Sequence, residues 1–270
     1  MVPVPQWDPE QYGRFADDRS RPFHDLLARV GALGPAVVAD LGCGPGELTA
    51  TLRERWPRAS VTGVDSSAEM VARARRLEGD GLSFVEADLR EWVRQVPPSS
   101  HDVVVSNAAL HWLPDHLALL PDLVAVLRPG GWLAVQVPGN HDAPSHALLR
   151  EVAGREPYAA HTRAAVRRPS LPGPGDYLEA LSALGCRVDA WETTYLHVLA
   201  GEDPVWEWIS GTGARPVLQA LPQPLRAAFA DDYRAELRRA YPARPFGTVL
   251  PFRRVFAVAH RGPDPAPSGP

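Results

Sequence analysis

The 270-residue chain contains no lysine, so all 28 of its basic residues are arginines. This absence excludes Schiff-base chemistry, a lysine general base and the Walker A phosphate loop, each of which needs a lysine. Arginine stays charged at every working pH and binds carboxylates through two parallel hydrogen bonds. We therefore expect arginines to hold any anionic ligand.

Cysteine is also scarce, because Cys43 and Cys186 are the only two and do not form a Cys-x-x-Cys pair. A disulfide scaffold and a cysteine-rich zinc site are thereby excluded. His141 and His146 have no His-Glu-x-x-His pattern around them, so we expect no metal. The net charge of −4 lacks the basic surplus that nucleic-acid and anionic-membrane binders need.

Long apolar runs are missing as well. No stretch approaches the ~20 residues of a membrane span, and residues 1–15 lack the apolar region of a signal peptide. We therefore expect a cytoplasmic protein. With 45% apolar and 22% charged residues the composition is globular. Residues 262–270 have almost nothing to bury, which predicts a disordered tail.

Residues 36–138 alternate between short apolar runs and helical patterns. Such an alternation predicts βαβ units around a parallel sheet, hence an α/β fold. The predicted strands are residues 36–41, 60–65, 82–88, 102–107 and 132–137. Helices are predicted after the first and second strands, with Ser66 or Ser67 as the cap of the second helix and its apolar stripe ending at Leu77. A long helix is predicted over residues 113–127 from its 3.6-residue period.

The pattern changes beyond residue 138. Helices are predicted around residues 146–153 and 176–184, two more within residues 203–241, and a last strand at 255–260. Residues 187–199 alternate between apolar and polar residues, which predicts a strand with one solvent-exposed face. The predicted apolar face carries Val188, Ala190, Thr194, Leu196 and Val198. We expect residues 139–261 to complete the sheet, with insertions near 139–170 and 200–250 that build a substrate cap.

The strongest motif is Asp40-Leu41-Gly42-Cys43-Gly44-Pro45-Gly46, which lies between a strand and a helix. Glycines there let the backbone turn sharply and let a ligand approach the main chain. Asp65 ends the second strand, where a carboxylate accepts hydrogen bonds from ribose hydroxyls. Together these features predict a site for a nucleoside-containing cofactor. The alternative is a glycine-rich turn without a ligand.

The spacing distinguishes between cofactors. Gly-x-Gly-x-Gly is shorter than the Gly-x-Gly-x-x-Gly turn that seats a pyrophosphate on a helix N-terminus. The helix begins with Glu47, whose carboxylate would repel a pyrophosphate. S-adenosylmethionine has no phosphate and carries two cations, which suit Asp40 and Glu47. The sequence therefore favours a methyl donor over NAD, and an NAD-dependent oxidoreductase and a non-catalytic S-adenosylmethionine-binding protein remain as alternatives.

The chain resembles class I S-adenosylmethionine-dependent methyltransferases, and within them the trans-aconitate 2-methyltransferase family. The cofactor half is typical of the whole superfamily, whereas the N-terminal segment and residues 185–216 are specific to this family. The matching segments are WDPEQYGRFADDRSRP (7–22), ADLGCGPG (39–46), VTGVDSSAEM (61–70), FVEADLREW (84–92), SNAALHWLPDH (106–116), GWLAVQVP (131–138), GCRVDAWETTY (185–195), TGARP (212–216) and FRRVFAVA (252–259).

The resemblance implies a Rossmann-like, seven-stranded, mostly parallel sheet with helical lid insertions, a core for S-adenosylmethionine at residues 31–138 and a flap over the active site at residues 1–30. It also assigns the methionine moiety to Asp40 and the glycine turn, and the ribose to Asp65. The implied cofactor residues are Asp40, Gly42, Cys43, Gly44, Gly46, Asp65, Ser66, Met70, Asp88, Leu89 and Asn107. For Asp88 a helix N-cap is an equal alternative, and for Asn107 a turn residue.

The family's chemistry implies methyl transfer to a carboxylate of a small polycarboxylic acid. A carboxylate is ionised at pH 7 and needs no general base. His111 and Trp112 are therefore candidates for positioning, although a histidine in the pocket wall is the simpler reading of His111. Strand four reads Ser-Asn-Ala-Ala and not Asn-Pro-Pro-Tyr, which argues against a methylase of DNA or glutamine.

A polycarboxylate substrate needs cations, and we expect arginines of the N-terminal segment and the insertions to supply them. The candidate substrate residues are Trp7, Tyr12, Arg19, Arg21, Arg150, Arg215 and Arg254. trans-Aconitate is the substrate that the resemblance implies, and another acid such as a malonyl thioester is the alternative. The sequence leaves the oligomeric state open.

Overall fold

A computed structural model gives the structure of the chain and describes residues 16–113, 115–166 and 172–263. Side chains are described from residue 20 onward. The predicted roles of Trp7 and Tyr12, the side chain of Arg19 and most of the predicted tail lie outside the described residues.

Helices and strands alternate through the first half of the chain, as predicted. The helices are α1 (Ala16–Leu27), α2 (Glu47–Arg55), α3 (Ala68–Ala74), α4 (Leu89–Gln95), α5 (Leu120–Ala125), α6 (Pro144–Ala153), α7 (Ala159–Thr162), α8 (Pro174–Ala183), α9 (Pro204–Ser210), α10 (Arg215–Ala220) and α11 (Gln223–Ala240). The strands are β1 (Val37–Leu41), β2 (Ser60–Asp65), β3 (Leu82–Glu86), β4 (His101–Asn107), β5 (Leu127–Pro138), β6 (Cys186–Leu199) and β7 (Thr248–Arg261). Within the described ranges no helix has both the length and the apolar character needed to cross a membrane.

The seven strands form one sheet in the order β3-β2-β1-β4-β5-β7-β6. Strands β1 to β5 run parallel, and β7 pairs antiparallel with β5. The predicted α/β fold with a Rossmann-like, mostly parallel sheet is confirmed. The strand order reverses direction between β1 and β4. The carboxyl ends of these two strands therefore flank the topological switch point, which is where such sheets bind ligands.

The two faces of the central strands differ in chemistry. One face carries Leu41, Val104 and Val135 and packs in a single buried cluster with residues of α4, α5 and α8. On the opposite face Asp40 and Gln136 occur among the apolar residues, and both side chains are buried. Polar residues inside a sheet are costly unless they are hydrogen-bonded, so their position points to a site.

The described residues fall into two compact units. The sheet unit holds residues 19–138, 172–193 and 254–263, and the helical unit holds residues 16–18, 139–166 and 194–253. In the helical unit the Tyr233 hydroxyl donates to the Ser145 carbonyl, and the Ser145 N–H donates to the Tyr241 hydroxyl. These bonds join α6 to α11 around a core that includes Trp208 and Phe229.

The predicted long helix over residues 113–127 is wrong. The segment forms a 3₁₀ turn at His116–Leu119, then α5, and Leu127 already begins β5. Pro121 lies in the first turn of α5, where its missing N–H costs nothing because the first N–H groups of a helix have no intrahelical partner, so it marks the start of a new helix and not the interior of a long one. The apolar period continues through the break because every part of the segment still packs on the sheet.

The predicted apolar face of β6 is wrong in its second half. Leu196 and Val198 are exposed, whereas Tyr195, His197 and Leu199 are buried. The His197 ring stacks on Trp208 of the helical unit, with ring centroids 4.7 Å apart. The buried side of the strand therefore changes where the chain passes from one unit to the other.

Two smaller predictions also fail. Residues 203–241 form three helices, not two, because prolines begin α9, α10 and α11 within their first turns. Leu77, predicted on the buried stripe of α3, is exposed at the end of a 3₁₀ turn. Ser67 is the N-cap of α3, since its hydroxyl accepts the Met70 N–H.

Candidate active site

The glycine turn after β1 has the backbone that only glycine adopts readily. Gly42, Gly44 and Gly46 have φ angles of +78°, +56° and +89°, in the region that costs other residues about 1–3 kcal/mol. A Cβ at Gly42 would also lie 2.1 Å from the Cβ of Ala109. The turn is therefore fixed both by its own conformation and by the loop that follows β4.

The N–H groups of this turn are used within the chain. Gly42 and Cys43 donate to the Val64 carbonyl, and Gly46 donates to the Cys43 carbonyl. Gly44 donates to Oδ2 of Asp65 at 2.9 Å, and Pro45 has no N–H. Since a pyrophosphate is bound through free backbone donors at such a turn, this arrangement does not suit a dinucleotide.

Asp40 lies beneath the turn with its carboxylate buried. It accepts a 2.6 Å hydrogen bond from the Thr49 hydroxyl of α2. Burial raises the pKa of Asp40 to about 6; the bond from Thr49 lowers this pKa, and the nearby charge of Asp65 raises it further. A ligand cation beside this carboxylate would favour its ionised form, so the site has an electrostatic preference for cations.

Asp65 connects the turn to the next helix. Besides the bond from Gly44, its Oδ1 accepts the N–H of Ser67, the N-cap of α3. Each carboxylate oxygen has a second lone pair. Asp65 can therefore hold the turn in place and still accept hydrogen bonds from ribose hydroxyls.

Glu47 begins α2 as predicted, but Arg73 pairs with it at 2.7 Å. Its charge is therefore partly compensated, and the repulsion of a pyrophosphate predicted from Glu47 is weaker than the sequence suggests. The occupied N–H groups of the turn, together with Asp40 and Asp65, provide the stronger argument against a phosphate.

Three predicted cofactor residues border this part of the site. Cys43 is a free, buried thiol, and burial raises its pKa, which makes it a packing residue and not a nucleophile. Met70 is buried in the first turn of α3, whereas Ser66 is exposed. Their contact with a cofactor stays a prediction.

Asp88 is the N-cap of α4, which was one of its two predicted roles. It accepts the Arg90 N–H at 2.8 Å and pairs with the Arg90 side chain. The hydrogen bond from that side chain is the main reason why the pKa of Asp88 is lowered. Leu89, the first residue of the helix, is buried. Contact of both residues with the adenine stays a prediction.

The end of β4 carries the remaining predicted residues. Asn107 ends the strand, and its buried Oδ1 has no hydrogen-bond partner among the described residues. His111 and Trp112 follow in a 3₁₀ turn with ring centroids 4.7 Å apart, and Trp112 is exposed. A buried acceptor without a partner is costly, which fits an Asn107 that meets a ligand donor.

The candidate arginines lie in different parts of the chain. Arg21 is exposed on α1 and pairs with Asp25. In the helical unit, Arg150 donates to the His141 carbonyl at 2.7 Å, and Arg215 begins α10. Arg254 of the sheet unit is buried and donates to Oε1 of Gln136 at 3.3 Å.

Sequence reasoning missed three residues of this region. Thr49, which binds Asp40, is a hydroxyl on the buried side of α2. Ala109 makes the close approach to Gly42, and no local pattern predicts it. Gln136 is an amide inside the apolar run WLAVQVP, an anomaly that could have been noticed.

The fold and this site define a class I S-adenosylmethionine-dependent methyltransferase. A family model described as a methyltransferase domain matches residues 38–131. The chain is 53% identical to trans-aconitate 2-methyltransferase of Streptomyces avermitilis, over 96% of this chain and 98% of the relative. It is 48% identical to that of Mycobacterium tuberculosis, over 95% and 97%. The chain belongs to the trans-aconitate 2-methyltransferase family, and its cofactor is S-adenosylmethionine.

Solved structures agree on the fold at low sequence identity. Haemonchus contortus phosphoethanolamine N-methyltransferase 2 with S-adenosyl-L-methionine has a TM-score of 0.54 at 16% identity, covering 90% of this chain and 52% of that one. The [4+2]-cyclase SpnF has a TM-score of 0.57 at 14% identity, covering 97% and 88%. Because a cyclase shares the fold, the reaction must be argued from the site.

The ionisation of Asp40 predicts a pH dependence of cofactor binding. Protonation below a pKa of about 6 removes the negative charge of Asp40, which we predict to face the cations of S-adenosylmethionine. We expect the dissociation constant to rise about tenfold per pH unit below that pKa and to level off near pH 7. Calorimetric titrations between pH 5 and 7 measure this.

Two variants provide the controls. Asp40→Asn should bind weakly and without pH dependence over this range. Thr49→Val removes the bond that lowers the pKa of Asp40, so the midpoint should move above that of the wild type. A wild-type affinity that is constant from pH 5 to 7 would refute this role of Asp40.

Proposed function

We propose that this protein transfers the methyl group of S-adenosylmethionine to a carboxylate of trans-aconitate and forms a monomethyl ester. The names of relatives that align with nearly the whole chain support the substrate. The site supports the donor, because a turn with occupied N–H groups and two carboxylates suits a cation without phosphates. The alignment with these relatives over nearly the whole chain carries the proposal for the acid, and the turn supports the donor.

The chemistry requires little of the protein beyond positioning. S-adenosylmethionine supplies a methyl group on a positively charged sulfur. The acceptor carboxylate is ionised near pH 7, so no general base is needed, and His111 and Trp112 serve at most to orient it. Holding the reactants in line can contribute about 7–11 kcal/mol at best. The protein's contribution is therefore to bind both molecules and to exclude water.

The substrate residues belong to this proposal. We propose that arginines bind the carboxylates of the acid and that two aromatic residues line the pocket. The candidate arginines are Arg19, Arg21, Arg150, Arg215 and Arg254, and the aromatic residues are Trp7 and Tyr12. Residues 1–30 act as a flap, and the insertions near 139–170 and 200–250 cap the substrate. The protein acts in the cytoplasm, which the two free cysteines support, on a small molecule and not on nucleic acid.

A panel of acids tests the proposal. The purified protein is incubated with S-adenosylmethionine and trans-aconitate, cis-aconitate, citrate, fumarate or a malonyl thioester, and base-labile ester is quantified. We expect the highest kcat/KM for trans-aconitate. A preference for the malonyl thioester would replace the substrate but keep the reaction, whereas no ester from any acid would refute the proposal.

Arg215 is the candidate of the family-specific segment 212–216, and its replacement is a direct test. Arg215→Ala should raise the KM for trans-aconitate roughly 10- to 100-fold, the effect of one lost charge-assisted bond. The dissociation constant for S-adenosylhomocysteine should not change. Arg76→Ala, which removes a charge from an exposed position after α3, is the matched control. Equal kinetics of Arg215→Ala and wild type would remove Arg215 from the pocket.

A further inference from the structure

A row of polar side chains crosses one face of the sheet at its carboxyl edge. Asn107 of β4 is the register partner of Gln136 of β5, so both side chains point to the same face. Gln136 is the partner of Phe256 in β7, and Arg254 lies two residues from Phe256 on that face. Asp40 shares the face, because it pairs with Val105, two residues before Asn107. The row thus starts at the carboxylate of Asp40 and extends from there across β4 and β5 to β7.

The orientation of the Gln136 amide is fixed by its neighbour. Arg254 has only donors, so the atom that accepts its Nη1–H must be Oε1 of Gln136. The Nε2 of Gln136 is therefore directed away from Arg254. This NH₂ group is fully buried and has no hydrogen-bond partner among the described residues. A buried donor left without a partner is destabilising.

The hydrogen-bonding character of the row changes from acceptors at one end to donors at the other. At the Asp40 end it offers acceptors, including the buried Asn107 Oδ1, which suit the cationic donor. At the other end it offers donors and a positive charge, because Arg254 is 5% exposed and Gln136 presents Nε2. Burying a guanidinium carries a desolvation cost. A ligand for this end must accept a hydrogen bond from the Gln136 Nε2–H, and the nearby guanidinium favours a ligand with negative charge, such as a carboxylate.

We infer that Gln136 and Arg254 bind a carboxylate of the acid substrate, and that Gln136 is a specificity-determining residue of the methyl-transfer reaction. This inference rests on the proposed function. The bound carboxylate is one that does not receive the methyl group, because N–H donors on the attacking oxygen would withdraw the electron density that it needs. The pair thus orients the acid by one carboxylate while another faces the donor.

Gln136→Glu tests the inference without opening a cavity. The glutamate accepts from Arg254 and forms an ion pair with it, so the fold is retained while the donor is lost and a repelling charge is added. We expect the KM for trans-aconitate to rise roughly 10- to 150-fold. The kcat at saturation should stay within about threefold, because the attacking carboxylate is untouched. The Kd for S-adenosylhomocysteine should be unchanged.

Two further variants serve as controls. Gln95→Glu makes the same charge change at an exposed position of α4 and should behave as wild type. Gln136→Met removes the donor without adding charge and should raise the KM by a smaller factor; it replaces Gln136→Glu if thermal unfolding shows that variant to be misfolded.

Binding of trans-aconitate to the S-adenosylhomocysteine complex is measured in parallel by calorimetry, which needs no turnover. Wild-type kinetics in Gln136→Glu would overturn the inference and leave the proposed function intact. If Gln136→Glu weakens the binding of S-adenosylhomocysteine as much as that of trans-aconitate, the inference is overturned too, because Gln136 would then lie at the cofactor. A third outcome is that the wild type binds trans-aconitate but forms no ester, and that Gln136→Glu does not bind the acid. This outcome would refute the proposed function and support the carboxylate site. Neither binding nor ester in the wild type would overturn both.

Discussion

Gly42→Ala is expected to destabilise the protein more than any other single alanine substitution in the glycine turn. The new methyl group would lie 2.1 Å from the Ala109 Cβ, at a φ of +78°. The left-handed backbone costs about 1–3 kcal/mol in a residue with a Cβ, and overpacking costs about as much again. We expect a melting temperature lower by roughly 5–15 °C, together with loss of S-adenosylmethionine binding.

The chain provides a control for each of the two costs. Gly44 has a φ of +56°, but no atom lies within 4 Å of the Cβ that would be added there. Gly44→Ala should therefore show only the backbone cost. The double variant Gly42→Ala/Ala109→Gly removes the colliding methyl group and should recover the packing part of the loss. Equal melting temperatures for Gly42→Ala and Gly44→Ala would contradict the close approach of the two loops.

Asp65→Ala is expected to weaken the binding of S-adenosylmethionine by roughly 100-fold or more. Its carboxylate accepts the N–H groups of Gly44 and Ser67, and bonds to a charged acceptor are worth about 1.5–3 kcal/mol each. The variant removes the acceptor that holds the Gly44 N–H in the turn, and it also removes the acceptor that we predict for the ribose hydroxyls. Titration with S-adenosylhomocysteine measures the effect, with Glu86→Ala as the control, because Glu86 ends the neighbouring strand as the register partner of Asp65.

A 2′-deoxy analogue of S-adenosylhomocysteine separates the two roles of Asp65. If Asp65 binds the ribose, the wild type loses affinity for the analogue and Asp65→Ala does not lose further. If both proteins lose the same factor, Asp65 acts only on the turn. An unchanged affinity of Asp65→Ala for S-adenosylhomocysteine would refute both roles.

The position of the glycine turn and of the strand ends beside it was largely predictable from sequence. The glycines of residues 42–46 require their positive φ angles, and strand ends in a parallel sheet meet at one edge. This places Asp40, Asp65 and Asn107 along that edge before any coordinates are known. Local pattern and backbone conformation, which sequence reports well, determine this part of the molecule.

The other features depend on which segments pack against each other in the folded chain. The periodicity of the sequence does not contain this information. The apolar stripe of residues 113–127 is real, but prolines and the start of β5 divide it among three elements. The buried side of β6 changes between Ala190 and Tyr195, because two different units cover its two halves. Gln136 became informative only when the register placed it beside Asn107 and Arg254.

Methyl transfer to a carboxylate is tested most directly by following the methyl group into the product. S-adenosylmethionine with a trideuterated methyl group is incubated with the protein and trans-aconitate, and the products are followed by mass spectrometry. We predict a monomethyl ester that carries three deuterons, in equal amount to S-adenosylhomocysteine, and that releases deuterated methanol in mild base. Turnover of S-adenosylmethionine without labelled ester, or label on a base-stable position, would contradict it.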